Sequence, residues 1–244
     1  MIGKIYMNVP YAEKDTAKAM GAKWDSKLKK WYYHGPIEDY IKFAKWIADG
    51  REHTTIAYEY VYIVEGMRQC YKCMKPTRVI GLGIGEHIEL VQHEDGSYEI
   101  GIMMEYEGDG PLHLAWADSE DDIPPALLHY LVGKYNVKTG YSGIAGKCFA
   151  NHCDNCGAIQ GNWHLFNEDS PLTAFIPDGP ELKERLSQLK IYGIGIDENL
   201  VLDWEFGYGS NDELYFKYSD FEELALSSSH QESGYITYEE MYQL

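Results

Sequence analysis

Two short stretches of this sequence decide the fold that it predicts: Cys70-Tyr71-Lys72-Cys73 and Cys153-Asp154-Asn155-Cys156-Gly157. In each, two residues separate two cysteines, so both thiolates of one tight turn can reach the same tetrahedral ion at about 2.3 Å. Gly157 suits the sharp turn by which backbone N–H groups face the sulfurs, whereas the first stretch has Met74 at the same place. Together the stretches predict one zinc ion, with the ligands Cys70, Cys73, Cys153 and Cys156.

The separation of the two stretches does not oppose this prediction. Between Cys73 and Cys153 lie 79 residues, whereas a compact zinc ribbon has about 15–20. Lengthening a closed loop from about 20 to about 80 residues costs roughly 1.2 kcal/mol of closure entropy, and structural zinc contributes an apparent 10–16 kcal/mol or so. We therefore expect a split ribbon. Because four thiolates fill a tetrahedral site and leave no position for water, we expect the zinc to be structural.

Other roles for the cysteines have weaker support in the sequence than zinc binding. A redox motif would have one CxxC pair opening a helix after a strand, and two pairs argue against it. Cys148 is left over, and we expect it to be a small buried hydrophobe. A nucleophile made of Cys148 and His152 rests only on their proximity in sequence.

Composition places the chain among globular proteins. Of 244 residues, 45% are hydrophobic, enough to build a core and to argue against disorder. The sequence has neither a signal peptide pattern nor a run of about 18 apolar residues. We therefore expect a cytoplasmic protein without membrane contact, in which cysteines bind metal before they form disulfides.

Charge divides the chain. Residues 1–52 hold 10 basic against 7 acidic side chains, a net +3, and residues 53–244 hold 11 against 32, a net −21. A change of sign at that point is typical of a domain boundary. We expect three parts: a small basic aromatic module (1–52), an acidic zinc-clasped domain (53–226) and a polar C-terminal tail (227–244), with Ser227-Ser228-Ser229 as a flexible stretch.

The N-terminal module has a strand–helix–strand pattern followed by a docked helix. Lysines alternate there with aromatic residues, an arrangement that lets a protein hold phosphates while bases stack. In the simpler interpretation, which we favour for Trp24 and Trp31, the aromatic residues form a small core and the lysines solvate its surface. The candidate nucleic-acid contacts are Lys23, Lys27, Lys29, Lys30 and Tyr33.

The order of motifs in this module is specific. It runs Tyr6-Met7-Asn8-Val9-Pro10-Tyr11, Glu13-Lys14-Asp15, Ala17-Lys18-Ala19-Met20-Gly21-Ala22-Lys23-Trp24-Asp25 and Lys30-Trp31-Tyr32. Over about residues 4–35 it resembles a small domain of unknown function that occurs on plasmid and phage primases, antirestriction proteins and other mobile-element proteins. The resemblance implies a mobile-element or DNA-processing context, and the family has no agreed catalytic residues to carry over.

The acidic part predicts a mainly antiparallel β domain, so the fold class is α+β. A hairpin is expected at Glu94-Asp95-Gly96-Ser97, and a helix is expected to start at Ile123-Pro124-Pro125. We also expect a strand over 162–166, a charged helix over 180–190, and closing strands over 200–206 and 213–218.

The residues around the second cysteine pair carry another resemblance. Ala150 to Leu165 are similar to a segment of uncharacterised bacterial zinc-ribbon proteins that carry the same N-terminal module. That resemblance, over about residues 60–177, supports the four zinc ligands and implies no activity. It makes Gln160, Gly161 and His164 candidate site positions, although a role in shaping the strand after the cysteine pair is the simpler interpretation.

Three functions are consistent with these patterns. The first is a non-catalytic, zinc-stabilised binding protein of mobile-element origin, with a protein partner and with nucleic-acid contact through residues 1–52. The second is an acidic protein that mimics nucleic acid and inhibits a host defence or replication enzyme, since complementary charge steers association. The third is a metal-dependent nuclease through Asp203 and Glu205, which share one strand face.

Overall fold

A computed structural model of the chain describes residues 1–103, 110–143, 145–166, 174–175, 179–207, 209 and 212–243. These residues form mixed α and β structure with mostly antiparallel sheets. The strands are β1 (Ile2–Met7), β2 (Lys23–Asp25), β3 (Lys30–Pro36), β4 (His53–Ala57), β5 (Tyr60–Gln69), β6 (Pro76–Ile84), β7 (His87–Gln92), β8 (Tyr98–Met103), β9 (His113–Trp116), β10 (Val137–Ser142), β11 (Gly146–His152), β12 (Ile159–Gln160), β13 (Lys190–Gly195), β14 (Leu200–Leu202), β15 (Glu205–Gly207) and β16 (Asp220–Glu223). The helices are α1 (Lys14–Ala19), α2 (Ala44–Ala48), α3 (Pro125–Lys134), α4 (Asn162–Phe166), α5 (Leu182–Leu186), α6 (Tyr215–Tyr218), α7 (Ser228–Ser233) and α8 (Tyr238–Tyr242), with 3-10 turns at Tyr11–Glu13, Ile37–Phe43, Glu120–Asp122 and Asp212–Leu214.

The N-terminal part is a three-stranded antiparallel sheet in the order β1-β3-β2. The predicted strand–helix–strand unit is present, with β2 as an additional edge strand that forms a hairpin with β3. The docked helix predicted after the second strand corresponds to the 3-10 turn Ile37–Phe43 followed by α2. This helix ends at Asp49, whose φ of 49° lies in the left-handed region.

The larger part contains a six-stranded sheet in the order β15-β9-β6-β5-β13-β16 and a four-stranded sheet in the order β14-β4-β7-β8. Neighbours are antiparallel except β13 and β16. The predicted hairpin joins β7 to β8, with Gly96 at a φ of 82°. The start of α3 is also confirmed: Pro125 is its first residue, where the missing N–H has no helical partner to lose.

The hydrophobic core does not stop at residue 52. Ile5, Ile37 and Phe43 are fully buried in one cluster with Ile56 and Ile88. Burying side chains of this size contributes about 1.5–3 kcal/mol each relative to exposure. The division of the chain at residue 52 stays a prediction, but both sides of it share a core.

Polar contacts join the same two parts. Lys4 forms an ion pair of 2.9 Å with the buried Glu198, and Asn199 donates a 3.0 Å hydrogen bond from Nδ2 to Tyr40 Oη. Partial burial opposes the charged form of Lys4, but its interactions with Tyr6 and Glu198 outweigh burial and raise the pKa of Lys4. These contacts bring β1 against the loop before β14.

Three predicted elements of the acidic part are wrong in type or length. Residues 162–166 form α4 and not a strand, because the burial follows one helical face: Leu165 is buried, whereas Trp163 is 62% exposed. Residues 213–218 are helical, and the fully buried Tyr215 donates from Oη to the carbonyl oxygen of Phe175 at 2.8 Å. The charged helix expected over 180–190 is shorter, covering α5, because Lys190 already begins β13.

The C-terminal stretch is more structured than we expected. Ser227 is the N-cap of α7 and accepts from the backbone N–H of His230, and Thr237 caps α8 in the same way. Ile236 and Met241 are buried in the main core. A polar sequence with widely spaced apolar residues can therefore dock as short capped helices. Among the described residues, no helix has the length and apolar character needed to cross a membrane.

Candidate metal centre and aromatic groove

The four predicted ligands meet at the tips of two hairpins. Cys70 and Cys73 lie in the turn between β5 and β6, and Cys153 and Cys156 lie between β11 and β12. Their sulfur atoms all lie within 4.8 Å of one another, at 3.8 Å for Cys70 to Cys156 and 3.7 Å for Cys73 to Cys153. A tetrahedral ion bound at about 2.3 Å separates its sulfurs by about 3.8 Å. The cluster therefore fits a zinc-sized ion.

The two cysteine turns have the same backbone geometry. Met74 N donates to Cys70 O at 2.9 Å, and Gly157 N donates to Cys153 O at 2.9 Å. Met74 has a φ of 59° and Gly157 one of 70°. The first turn thus adopts the left-handed conformation at a residue other than glycine, which destabilises it by about 1 kcal/mol relative to glycine.

Backbone and side-chain donors favour ionised sulfurs. Burial opposes ionisation of Cys153, but the N–H groups of Asn155 and Cys156 outweigh it and lower the pKa of Cys153 to about 6. The pKa of Cys73 is raised to about 11, although the N–H of Lys75 favours its thiolate, because of burial and the neighbouring sulfurs. Thiolates this close together repel one another, and a bound cation would relieve that repulsion.

The hairpins are also joined by protein hydrogen bonds. Asp154 N donates to Thr77 Oγ1 at 2.9 Å, and Asn155 Nδ2 donates to Pro76 O at 2.8 Å. Deeper in the core, the side chain of Asn151 donates to the carbonyl of Ile80 and accepts from its N–H, both at 2.8 Å. These contacts join the two hairpins that carry the four sulfurs.

The three weaker candidates near the second turn differ in position. Gln160 is fully buried and its Nε2 donates to Cys70 Sγ at 3.5 Å, so it supports the cluster directly. Gly161 begins the turn into α4, and its carbonyl accepts from His164 N at 3.0 Å. His164 is exposed, and among the described residues it belongs to no group that could bind a metal. Cys148 is half-buried and lies outside the cluster.

The acidic residues considered for a nuclease do not gather into a metal site. Asp203 pairs with Arg51 at 3.1 Å, and the neighbouring Asp118 carboxylate raises the pKa of Glu205. In the described part of the chain, the four cysteines are the one group of His, Cys, Asp or Glu side chains close enough to hold a metal ion.

A second candidate site is a groove of about 300 Å³ on the N-terminal part, which we call the aromatic groove. Trp24 is 51% exposed, so the expectation that it belongs to the core is wrong, and it meets the partly buried Trp31 edge-to-face at 5.6 Å. The exposure follows from the position of Trp24 on the edge strand β2. The lining residues are Met7, Asn8, Val9, Pro10, Trp24, Lys29, Lys30, Trp31 and Asp49.

Only some of the predicted nucleic-acid contacts line this groove. Lys29 and Lys30 line it, whereas Lys23 is exposed outside the lining and Lys27 forms an ion pair with Glu239. Tyr33 is buried against Phe43, with ring centroids 4.6 Å apart, so its ring cannot stack on a base.

Sequence reasoning missed two polar lining residues of the groove. Lys30 Nζ donates to Asn8 Oδ1 at 3.2 Å, and Asn8 Nδ2 donates to Asp49 Oδ2 at 2.8 Å. Asn8 follows β1 and Asp49 follows α2, far apart in sequence. The one local signal is Gly50 after Asp49, which is typical of a helix end and says nothing about a site.

Residues 4–48 match the model of a domain of unknown function, DUF5710. Two proteins named DNA primase TraC from Escherichia coli are similar to the same part of the chain. One is 45% identical over 47 residues, 19% of this chain and 4% of the primase, and the other is 54% identical over 41 residues, 17% of this chain and 3% of the primase. The likeness thus concerns a small module within much longer relatives. No solved structure matches the chain.

Proposed function

We propose that this chain is a non-catalytic, zinc-stabilised binding protein of mobile-element origin that contacts single-stranded nucleic acid through the aromatic groove. The observation that carries the proposal is the exposed Trp24 beside Lys29 and Lys30 in one groove. Exposed aromatic rings stack on unpaired bases and lysines hold the phosphates. All of the lining residues except Asp49 lie within residues 4–48, the segment that matches DUF5710.

The metal in this proposal is zinc, and its role is structural. Four cysteine ligands at tetrahedral spacing suit zinc, and a filled site leaves no position for a reacting water. The cluster would fix two hairpin tips whose strands belong to different sheets. The acidic part of the chain, with a net charge of −21 over residues 53–244, would face a protein partner rather than nucleic acid, because it repels phosphates.

Binding of the full chain to a fluorescent single-stranded oligonucleotide, measured by anisotropy at several salt concentrations, tests the proposal. We expect Trp24→Ala to weaken binding by about 5- to 150-fold, because stacking of one base on an aromatic ring contributes about 1–3 kcal/mol. Trp163→Ala is the matched control, since Trp163 is 62% exposed and lies outside the groove.

Lysine variants test the electrostatic part of the same proposal. Lys29→Gly should reduce both affinity and salt dependence, and it also relieves a left-handed backbone. Lys138→Ala, at an exposed lysine outside the groove, should change neither. Equal losses in both lysine variants, or no loss in Trp24→Ala, would remove the groove from the proposal.

A further inference from the structure

The lining of the aromatic groove includes a row of polar groups joined by hydrogen bonds. Lys30 Nζ donates to Asn8 Oδ1, and Asn8 Nδ2 donates to Asp49 Oδ2. The row is held by the backbone, because Asn8 N donates to Trp46 O at 3.1 Å and Asp49 closes α2. It therefore presents a donor-only ammonium at one end and an acceptor-only carboxylate at the other.

The dimensions of the groove suit one base. Its volume of about 300 Å³ is at the lower end for small-molecule sites and too small for a duplex. The half-exposed ring of Trp24 lines the same groove and offers a face for stacking. An unpaired base entering the groove would turn its hydrogen-bonding edge toward Lys30 and Asp49.

Among the bases, guanine has the edge that matches this row. Its O6 is an acceptor, and its N1–H and 2-amino group are adjacent donors. A carboxylate can accept both donors while an ammonium donates to O6. Adenine and cytosine offer the carboxylate only one donor group, their exocyclic amine, and thymine offers only its N3–H, so none of them can pair with both carboxylate oxygens through two adjacent donors.

We propose that the groove reads an unpaired guanine, with Asp49 as the residue that determines specificity and Lys30 as its partner. This inference rests on the proposed function, since it assigns the base preference of the same groove. Lys29 at the rim holds the adjoining phosphate. The carboxylate of Asp49 contributes base selection and little of the overall affinity.

Labelled thymidine oligomers with a single central guanine or a single central inosine test the inference with the full chain. Inosine lacks only the 2-amino group, so we expect about tenfold weaker binding, the effect of losing one of two paired hydrogen bonds. In Asp49→Asn the guanine and inosine oligomers should bind within twofold of each other. Asparagine tolerates the left-handed backbone as aspartate does, so this variant should fold. Asp95→Asn, in the exposed turn of the β7–β8 hairpin, is the control.

The outcomes separate the two proposals. Equal binding of guanine, inosine and plain thymidine oligomers overturns the guanine assignment and leaves nucleic-acid binding intact. Binding of none of them overturns both. Guanosine monophosphate serves as a competitor: displacement of the oligomer at similar concentrations would show that the groove takes a free nucleotide, and the strand assignment would then be wrong.

Discussion

The cysteine cluster and the aromatic groove are built on opposite physical principles. In the cluster, four groups of one chemical type converge on a point, and hydrogen bonds between the hairpins hold them there. In the groove, groups of different type face an open volume, with Trp24 half-exposed and Asp49 on the surface. A closed, uniform site stabilises the protein, whereas an open, mixed site offers several kinds of contact to something else. The two should therefore respond independently to mutation.

Removing one cysteine ligand is expected to have the largest effect. Cys153→Ser should abolish stoichiometric zinc and lower the free energy of unfolding by several kcal/mol, because binding energy of a structural metal is folding energy. Elemental analysis and thermal unfolding measure the two quantities. Cys148→Ser, at a cysteine outside the cluster, should keep one zinc per chain. Full zinc content in Cys153→Ser would contradict the ligand assignment.

The second-largest effect is expected from removing Tyr238, an aromatic residue that packs near the groove. The ring of Tyr238 in α8 lies 4.4 Å from that of Tyr6, and Lys30 Nζ lies 5.8 Å from its centroid. Tyr238→Ala should cost about 2 kcal/mol, less than a fully buried aromatic residue, and should weaken oligonucleotide binding. Zinc content should not change. If it falls with the affinity, the two sites are coupled and the comparison fails.

The smallest effects concern the difference between the two cysteine turns. Met74→Gly should stabilise the zinc-bound protein by up to about 1 kcal/mol, since glycine adopts the left-handed conformation without strain. Gly157→Ala should destabilise it by a similar amount. Chemical denaturation at saturating zinc measures both variants. The two variants should change the free energy of unfolding in opposite directions. A lower free energy of unfolding in both would show that the packing of Met74 outweighs its backbone strain.

The cluster could be predicted in full from the sequence, because each ligand pair is local and only one residue type was needed. The groove could be predicted only in part. Lys29 and Lys30 were found from their alternation with aromatic residues, but the partners Asn8 and Asp49 come from two other segments. The same alternation of lysines and aromatic residues predicts Tyr33 as a nucleic-acid contact. In the structure, however, Tyr33 pairs with Ile5 across the sheet and its ring is buried in the core. Which face of a short strand is buried depends on what packs there.

Short helices account for most errors in the fold. The segments α4, α6, α7 and α8 have four to six residues each, too few turns for a 3.6-residue period to show. Their aromatic or polar composition suggested strands or a tail instead. The hairpin between β7 and β8 was indicated correctly, because its turn residues Glu94 to Ser97 mark it in the sequence.

The packing of Tyr238 on Tyr6 also has a consequence for biosynthesis. Residue 238 leaves the ribosome long after residues 6 and 30, so the earliest part of the sheet must wait for one of the later helices before its packing is complete. Such long-range contacts form late and slow folding. Until then a growing chain displays β1 and β3 without α8, and the groove reaches its final form only near the completion of synthesis of residues 1–242.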